Sequence, residues 1–71
     1  MACYDLALAY KDGRGVEQND EKAVYWYRKA AEQGNAVAQF ELGYAYEYGQ
    51  GVEQNDENAV YWYQKAAEQG D

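Results

Sequence analysis

The sequence contains no histidine, proline, serine, threonine or isoleucine, and only one cysteine among its 71 residues. Without serine, threonine and histidine, neither a Ser-His-Asp nor a Cys-His nucleophile can be assembled within the chain. The commonest general base and metal ligand is missing too, so no catalytic, cofactor-binding or metal-ligating residue is assigned. Cys3 has no second thiol to pair with and no basic neighbour to activate it. It reads as a small packing residue, and the redox compartment stays open. Positive charge is scarce as well: six Lys and Arg against thirteen Asp and Glu give a net charge of −7. That balance argues against nucleic acid and anionic membrane surfaces as partners and favours a basic or neutral protein. No apolar run approaches the roughly 20 residues that cross a bilayer, and no charged start precedes an apolar core. The chain as given reads as soluble, with its compartment unassigned.

Bulky aliphatic residues are few, with leucine only at Leu6, Leu8 and Leu42, whereas tyrosine occurs nine times. An interior must therefore be built from aromatic rings set against alanine. A chain this short buries little surface, so marginal stability is expected. The absence of proline and the abundance of alanine, glutamate, glutamine and lysine favour helix.

One passage is written twice. GVEQNDEKAVYWYRKAAEQG at 15–34 returns as GVEQNDENAVYWYQKAAEQG at 51–70, and over 13–34 and 49–70 only Arg14/Gln50, Lys22/Asn58 and Arg28/Gln64 differ. The step is 36 residues, within the range that signals stacked repeats. Each copy reads as two helices. Asn35 caps a helix over 36–48, in which Ala38, Leu42, Ala45 and Tyr46 form one stripe before the breakers Gly49 and Gly51. Residues 2–12 are its counterpart. Asp20 and Asp56 are the expected caps of helices over 20–33 and 56–69, with Glu21 and Glu57 in the positive first turn. Ala23, Trp26, Tyr27, Ala30 and Ala31 mark the inner face of the first, Ala59, Trp62, Tyr63, Ala66 and Ala67 that of the second, and Gly34 supplies a left-handed stop. Gly43, unfavourable in a helix, points to close helix contact there. The reading is all-α: two helix-loop-helix repeats, 1–35 and 36–71, stacked as a short right-handed α-solenoid.

The segments LGYAY at 42–46, GQGV at 49–52 and AVYWYQKAAEQG at 59–70 resemble the Sel1-like repeat family, whose antiparallel helix pairs are similar to tetratricopeptide repeats with a longer GxG-containing loop. The resemblance covers nearly the whole chain. The first copy departs from it, beginning at Met1 where the second has Val37 and lacking a cap, so its first helix is expected to fray. It also carries Ala7 in place of Gly43 and Asp12 in place of Tyr48. Disulfides tie the helix pairs in one branch of the family; Cys3 alone cannot supply one. Asp71 falls where Asn35 stands, and a minimal or excised stretch of a longer solenoid is the expectation.

The resemblance implies a scaffold or adaptor that binds proteins or peptides, with the first helix of each pair lining a concave face. On that face the candidate partner-binding residues are Glu41, Tyr44, Glu47 and Tyr48, with Asp5, Leu8, Lys11 and Asp12 on the first helix. Tyr44 and Tyr48 lie one turn apart and offer large contact area at low entropic cost; the alternative is that both rings pack between layers. A second reading is a self-associating structural unit that stacks head to tail or exchanges a repeat. Glu17, Asp20 and Glu21, with Glu53, Asp56 and Glu57, lack calcium-loop spacing and read as caps and solvated surface. Tyr25 and Tyr61 read as packing residues.

Overall fold

The structure is a computed structural model that describes residues 2–70. Met1 and Asp71, and the equivalences drawn for them with Val37 and Asn35, lie outside those residues. Among the described residues the order is α1 (Cys3–Asp12), α2 (Asp20–Glu32), α3 (Ala36–Tyr48) and α4 (Asp56–Gln69), with no strand. Helix α2 packs against both α1 and α3, and α4 against α3. The Cα envelope measures 33 × 24 × 14 Å. Its short dimension matches two helices across, since axes about 8–10 Å apart plus two backbone radii of about 2.3 Å give that thickness. The molecule is an all-α solenoid of two repeats, one layer of α1 and α3 and one of α2 and α4.

Local chemistry sets the helix boundaries, with one correction to the expected caps. Asn19 and Asn55, not Asp20 and Asp56, cap α2 and α4: each is extended (φ −156°), and its Oδ1 accepts from the backbone N–H three residues on, Lys22 and Asn58 at 3.1 Å. Asp20 and Asp56 become the first helical residues, where their charge faces the positive end of the helix. Asn35 caps α3, accepting from Ala38 N at 2.9 Å. Helix α1 begins after Ala2 with no side-chain cap and runs 10 residues against 13 for α3. At the end of α2, Gly34 takes φ 95°, and its N–H and that of Asn35 close back on the carbonyls of Ala31 and Ala30. These are the two bonds of a Schellman stop, which a left-handed residue at that place permits.

The core is small side chains around a few large ones. Ala7, Ala23, Val24, Tyr27, Ala30, Ala31, Ala38, Leu42 and Ala45 form one buried cluster, with Tyr4, Tyr10, Trp26, Tyr46 and Trp62 packed partly buried against it. The inner face of α2 therefore differs from expectation: Val24 is buried and Trp26 only half-buried. Trp26, packed against the core on one side, also makes a T-shaped pair with Tyr25, centroids 5.0 Å apart at 86°. Tyr25 itself is exposed, and Lys29 Nζ lies 5.5 Å from its ring centroid. Tyr61, Trp62 and Lys65 repeat the arrangement on α4. A cation over an exposed ring adds a modest attraction, and here it covers a ring expected to pack inside. At Gly43 the expected close contact is present: a Cβ there would lie 2.9 Å from Tyr63 Cδ1 and 3.1 Å from the Ala59 carbonyl.

Candidate functional site

Helices α1 and α3 lie side by side in one layer, held across their junction by Lys11 Nζ to Glu41 Oε2 at 3.0 Å. The hydrogen bond to Glu41, more than its charge, raises the Lys11 pKa against the opposing effect of partial burial. Four of the sequence-derived residues, Glu41, Tyr44, Glu47 and Tyr48, share α3. Tyr44 and Tyr48 are 41% and 60% exposed, and their rings tilt against each other at 4.6 Å and 48°. This is the contact that a spacing of four residues on a helix produces. Neither ring is packed into the core.

The acidic groups around the two rings are mostly engaged. Glu41 holds Lys11, and Glu47 Oε1 accepts from the Tyr63 hydroxyl at 2.6 Å. Asp12 lies 3.8 Å from Arg14 in an open pair. Asp5 is exposed and Leu8 half-buried on α1. The residues thus share one layer, but the contacts among them are the pairs Lys11–Glu41 and Tyr44–Tyr48, while Glu47 bonds to Tyr63. The face carries less free negative charge than its letters suggest.

Sequence reasoning missed the floor beneath this layer. A cavity of about 30 Å³ is lined by Lys11, Tyr27, Glu41, Tyr44 and Gln50, among others. The Tyr27 hydroxyl is buried with no hydrogen-bond partner among the described residues. Burial, then the charge of Glu41, holds its pKa above the ordinary phenol range. The letters give no sign of this, because Tyr63, the same residue one repeat later, reaches Glu47 where Tyr27 faces Lys11.

A second surface lies at the end of the stack. Between α3 and α4 runs an open groove of about 370 Å³, lined by Ala36, Val37, Phe40, Tyr63, Ala66 and Ala67. Val37, Phe40 and Val60 are each about half exposed, at 53%, 51% and 52%. Among the described residues no group of three or more Cys, Asp or Glu can hold a metal ion, and no helix is long and apolar enough to cross a membrane.

The Sel1 repeat model matches residues 1–35 and 36–71. Among solved structures, a Sel1 repeat protein from Oxalobacter formigenes is 52% identical, with a TM-score of 0.93 over 97% of this chain and 28% of its own. The protective antigen c5321 of uropathogenic Escherichia coli strains, displaying an SLR fold, is 45% identical, with a TM-score of 0.93 over 97% of this chain and 15% of that one. Helicobacter pylori cysteine rich protein B is 32% identical, with a TM-score of 0.92 over 97% and 52% of the two chains. The chain thus spans about half or less of these proteins. No curated protein sequence matches it.

Proposed function

The chain belongs to the Sel1 repeat family, and we propose that it is a non-catalytic interaction module that binds a peptide or protein segment on the face formed by α1 and α3. Sel1 repeats generally mediate protein–protein interactions. The observation that carries the choice of face is the Tyr44–Tyr48 pair, exposed and mutually packed. Two rings that hold each other in place offer apolar area whose ordering is already complete before a ligand arrives, which lowers the entropic cost of binding. On the same helix Glu47 already accepts from the Tyr63 hydroxyl and Lys11 occupies Glu41, so little free negative charge borders the rings. The favoured ligand is therefore neutral to mildly basic, with an apolar anchor to lie across the two rings.

The test is selection of binding peptides from a displayed random library against the whole chain, followed by titration of the winners against Tyr44→Ala/Tyr48→Ala. Far-UV circular dichroism checks that the variant remains helical. A loss of tenfold or more in affinity is expected, the usual scale for aromatic anchors. Unchanged affinity in a folded variant places the binding elsewhere and sinks the choice of face.

A further inference from the structure

Tyr27 and Tyr63 hold the same place in the two repeats, but their hydroxyls end differently. Tyr63 donates to Glu47 at 2.6 Å. One repeat earlier the residue in the place of Glu47 is Lys11, whose ammonium carries donors only and is itself spent on Glu41 at 3.0 Å. The Tyr27 hydroxyl, on a residue 3% exposed, is thereby left without a partner among the described residues. A buried hydroxyl kept from hydrogen bonding costs stability, so its surroundings are where a ligand is to be sought.

Tyr27 lines the cavity of about 30 Å³ at the junction of the two repeats. The walls come from α1 through Lys11, from α2 through Tyr27, from α3 through Glu41 and Tyr44, and from the second loop through Gln50. Both repeats that build it are present in the chain, and its walls belong to neither end of the stack. Lys11, Tyr44 and Gln50 are exposed while Tyr27 is buried, which puts the mouth beside the tyrosine pair and the hydroxyl inside.

Size and charge narrow the occupant. The volume suits about two or three heavy atoms, since one water takes roughly 10–15 Å³ of the same measure. An anion would meet Glu41 and Asp20, both in the lining, within a chain of net charge −7. A cation would have to displace Lys11 from Glu41. A neutral group that both accepts and donates matches what is there: the Tyr27 O–H needs an acceptor, and the Glu41 carboxylate, with one oxygen on Lys11, retains acceptor sites. We propose that this cavity is a subsite for one carboxamide, the end of an asparagine or glutamine side chain in the segment bound across Tyr44 and Tyr48. The Tyr27 hydroxyl donates to its oxygen, and its amide donates to Glu41. That a bound segment carries the carboxamide rests on the preceding reading of the α1 and α3 face, whereas the affinity of the cavity for a carboxamide does not.

Two experiments keep these apart. In the first, acetamide, its isostere acetone, acetate and methylammonium are titrated into the whole chain while the ring NMR signals of Tyr27, identified by their loss in Tyr27→Phe, are followed. Acetamide should shift them saturably with roughly millimolar affinity, the range open to so small a ligand. The other three should bind about tenfold more weakly or less, each lacking one of the two hydrogen bonds or carrying charge. In Tyr27→Phe, followed through Tyr44, acetamide should lose about tenfold in affinity. A cavity that takes water only gives no saturable shift with any probe; that result, equal responses to all four, or acetamide binding indifferent to Tyr27→Phe overturns the proposal. In the second, the peptide selection is repeated with Tyr27→Phe as bait. Asparagine or glutamine at a fixed distance from the apolar anchor should be enriched on the native chain and not on the variant, with the anchor kept on both. Equal enrichment on both chains, or none on either, overturns the assignment to the bound segment. Failure of the face itself shows separately, as unchanged peptide affinity in Tyr44→Ala/Tyr48→Ala.

Discussion

At the scale of single residues, position in the stack gives identical letters different tasks. Gly15 and Gly51 occupy the same place in the repeated loop and share nearly the same left-handed backbone, φ 76° and 79°. A Cβ on Gly15 would meet nothing within 4 Å, whereas one on Gly51 would lie 2.5 Å from the Asp20 carbonyl oxygen and 3.0 Å from Val24 Cγ2. Gly15→Ala should therefore cost only the left-handed strain, about 1–2 kcal/mol. Gly51→Ala should cost that plus the displacement of backbone in the first turn of α2, roughly 1–3 kcal/mol more. Urea denaturation of the two variants measures the difference directly; equal losses would show that the second loop is not clamped on α2. No reading of the sequence separates these glycines, since the contact comes from stacking and not from the loop.

At the scale of elements, the helices and their order were legible, and the reasons are physical. Repeated breakers bracket each helix, and alanine stripes recur at helical spacing. Two readings failed at the boundaries and faces. Asn19 and Asp20 are adjacent good caps, and propensity alone does not choose between them; the extended backbone and the bond to Lys22 N decide for Asn19. Helical spacing places Trp26 on the inner face; it does pack against the core, but only partly buried and paired with Tyr25, while Val24, which the spacing leaves out, is the buried residue. Of the candidate site, the α3 tyrosines were visible from their spacing, but the engagement of Glu41 and Glu47 depends on residues 30 and 16 positions away in the chain. Burial predicts a contrast between matching elements. Val24→Ala should destabilise the fold by about 1.5–2.5 kcal/mol, the transfer of two buried carbons plus the cavity they leave. Val60→Ala, at a site half open to water, should stay within about 0.5 kcal/mol. Chemical denaturation of both variants checks this, and comparable losses would mean that α4 is covered as α2 is.

At the scale of the whole molecule, the groups whose protonation folding alters all point to one end of the pH scale. Tyr27 is pushed above its ordinary 10.0 by burial and then by Glu41, Tyr63 above 10.0 by burial and by the bond to Glu47, and Lys11 above 10.5 by Glu41. In each case the folded chain holds a proton that the unfolded chain releases sooner. The stabilisation these protons represent is complete below the unfolded values and is lost as pH rises through the folded ones. Lys11 and Tyr63 are partly exposed, so solvent screens their share; Tyr27, at 3% exposure, carries most of it. The melting temperature should thus show no slope from these groups between pH 7 and 9 and fall above about pH 10, with up to about 1.4 kcal/mol lost per pH unit from Tyr27 alone. Tyr27→Phe removes the titrating hydroxyl while keeping the ring, and because that hydroxyl lacks a partner its loss should leave stability at pH 7 unchanged or slightly raised. Thermal melts of the two chains from pH 7 to 11 should therefore diverge only in the alkaline limb. An equally steep alkaline fall in Tyr27→Phe would shift the responsibility to Tyr63 and Lys11, and so to the exposed junctions of the stack.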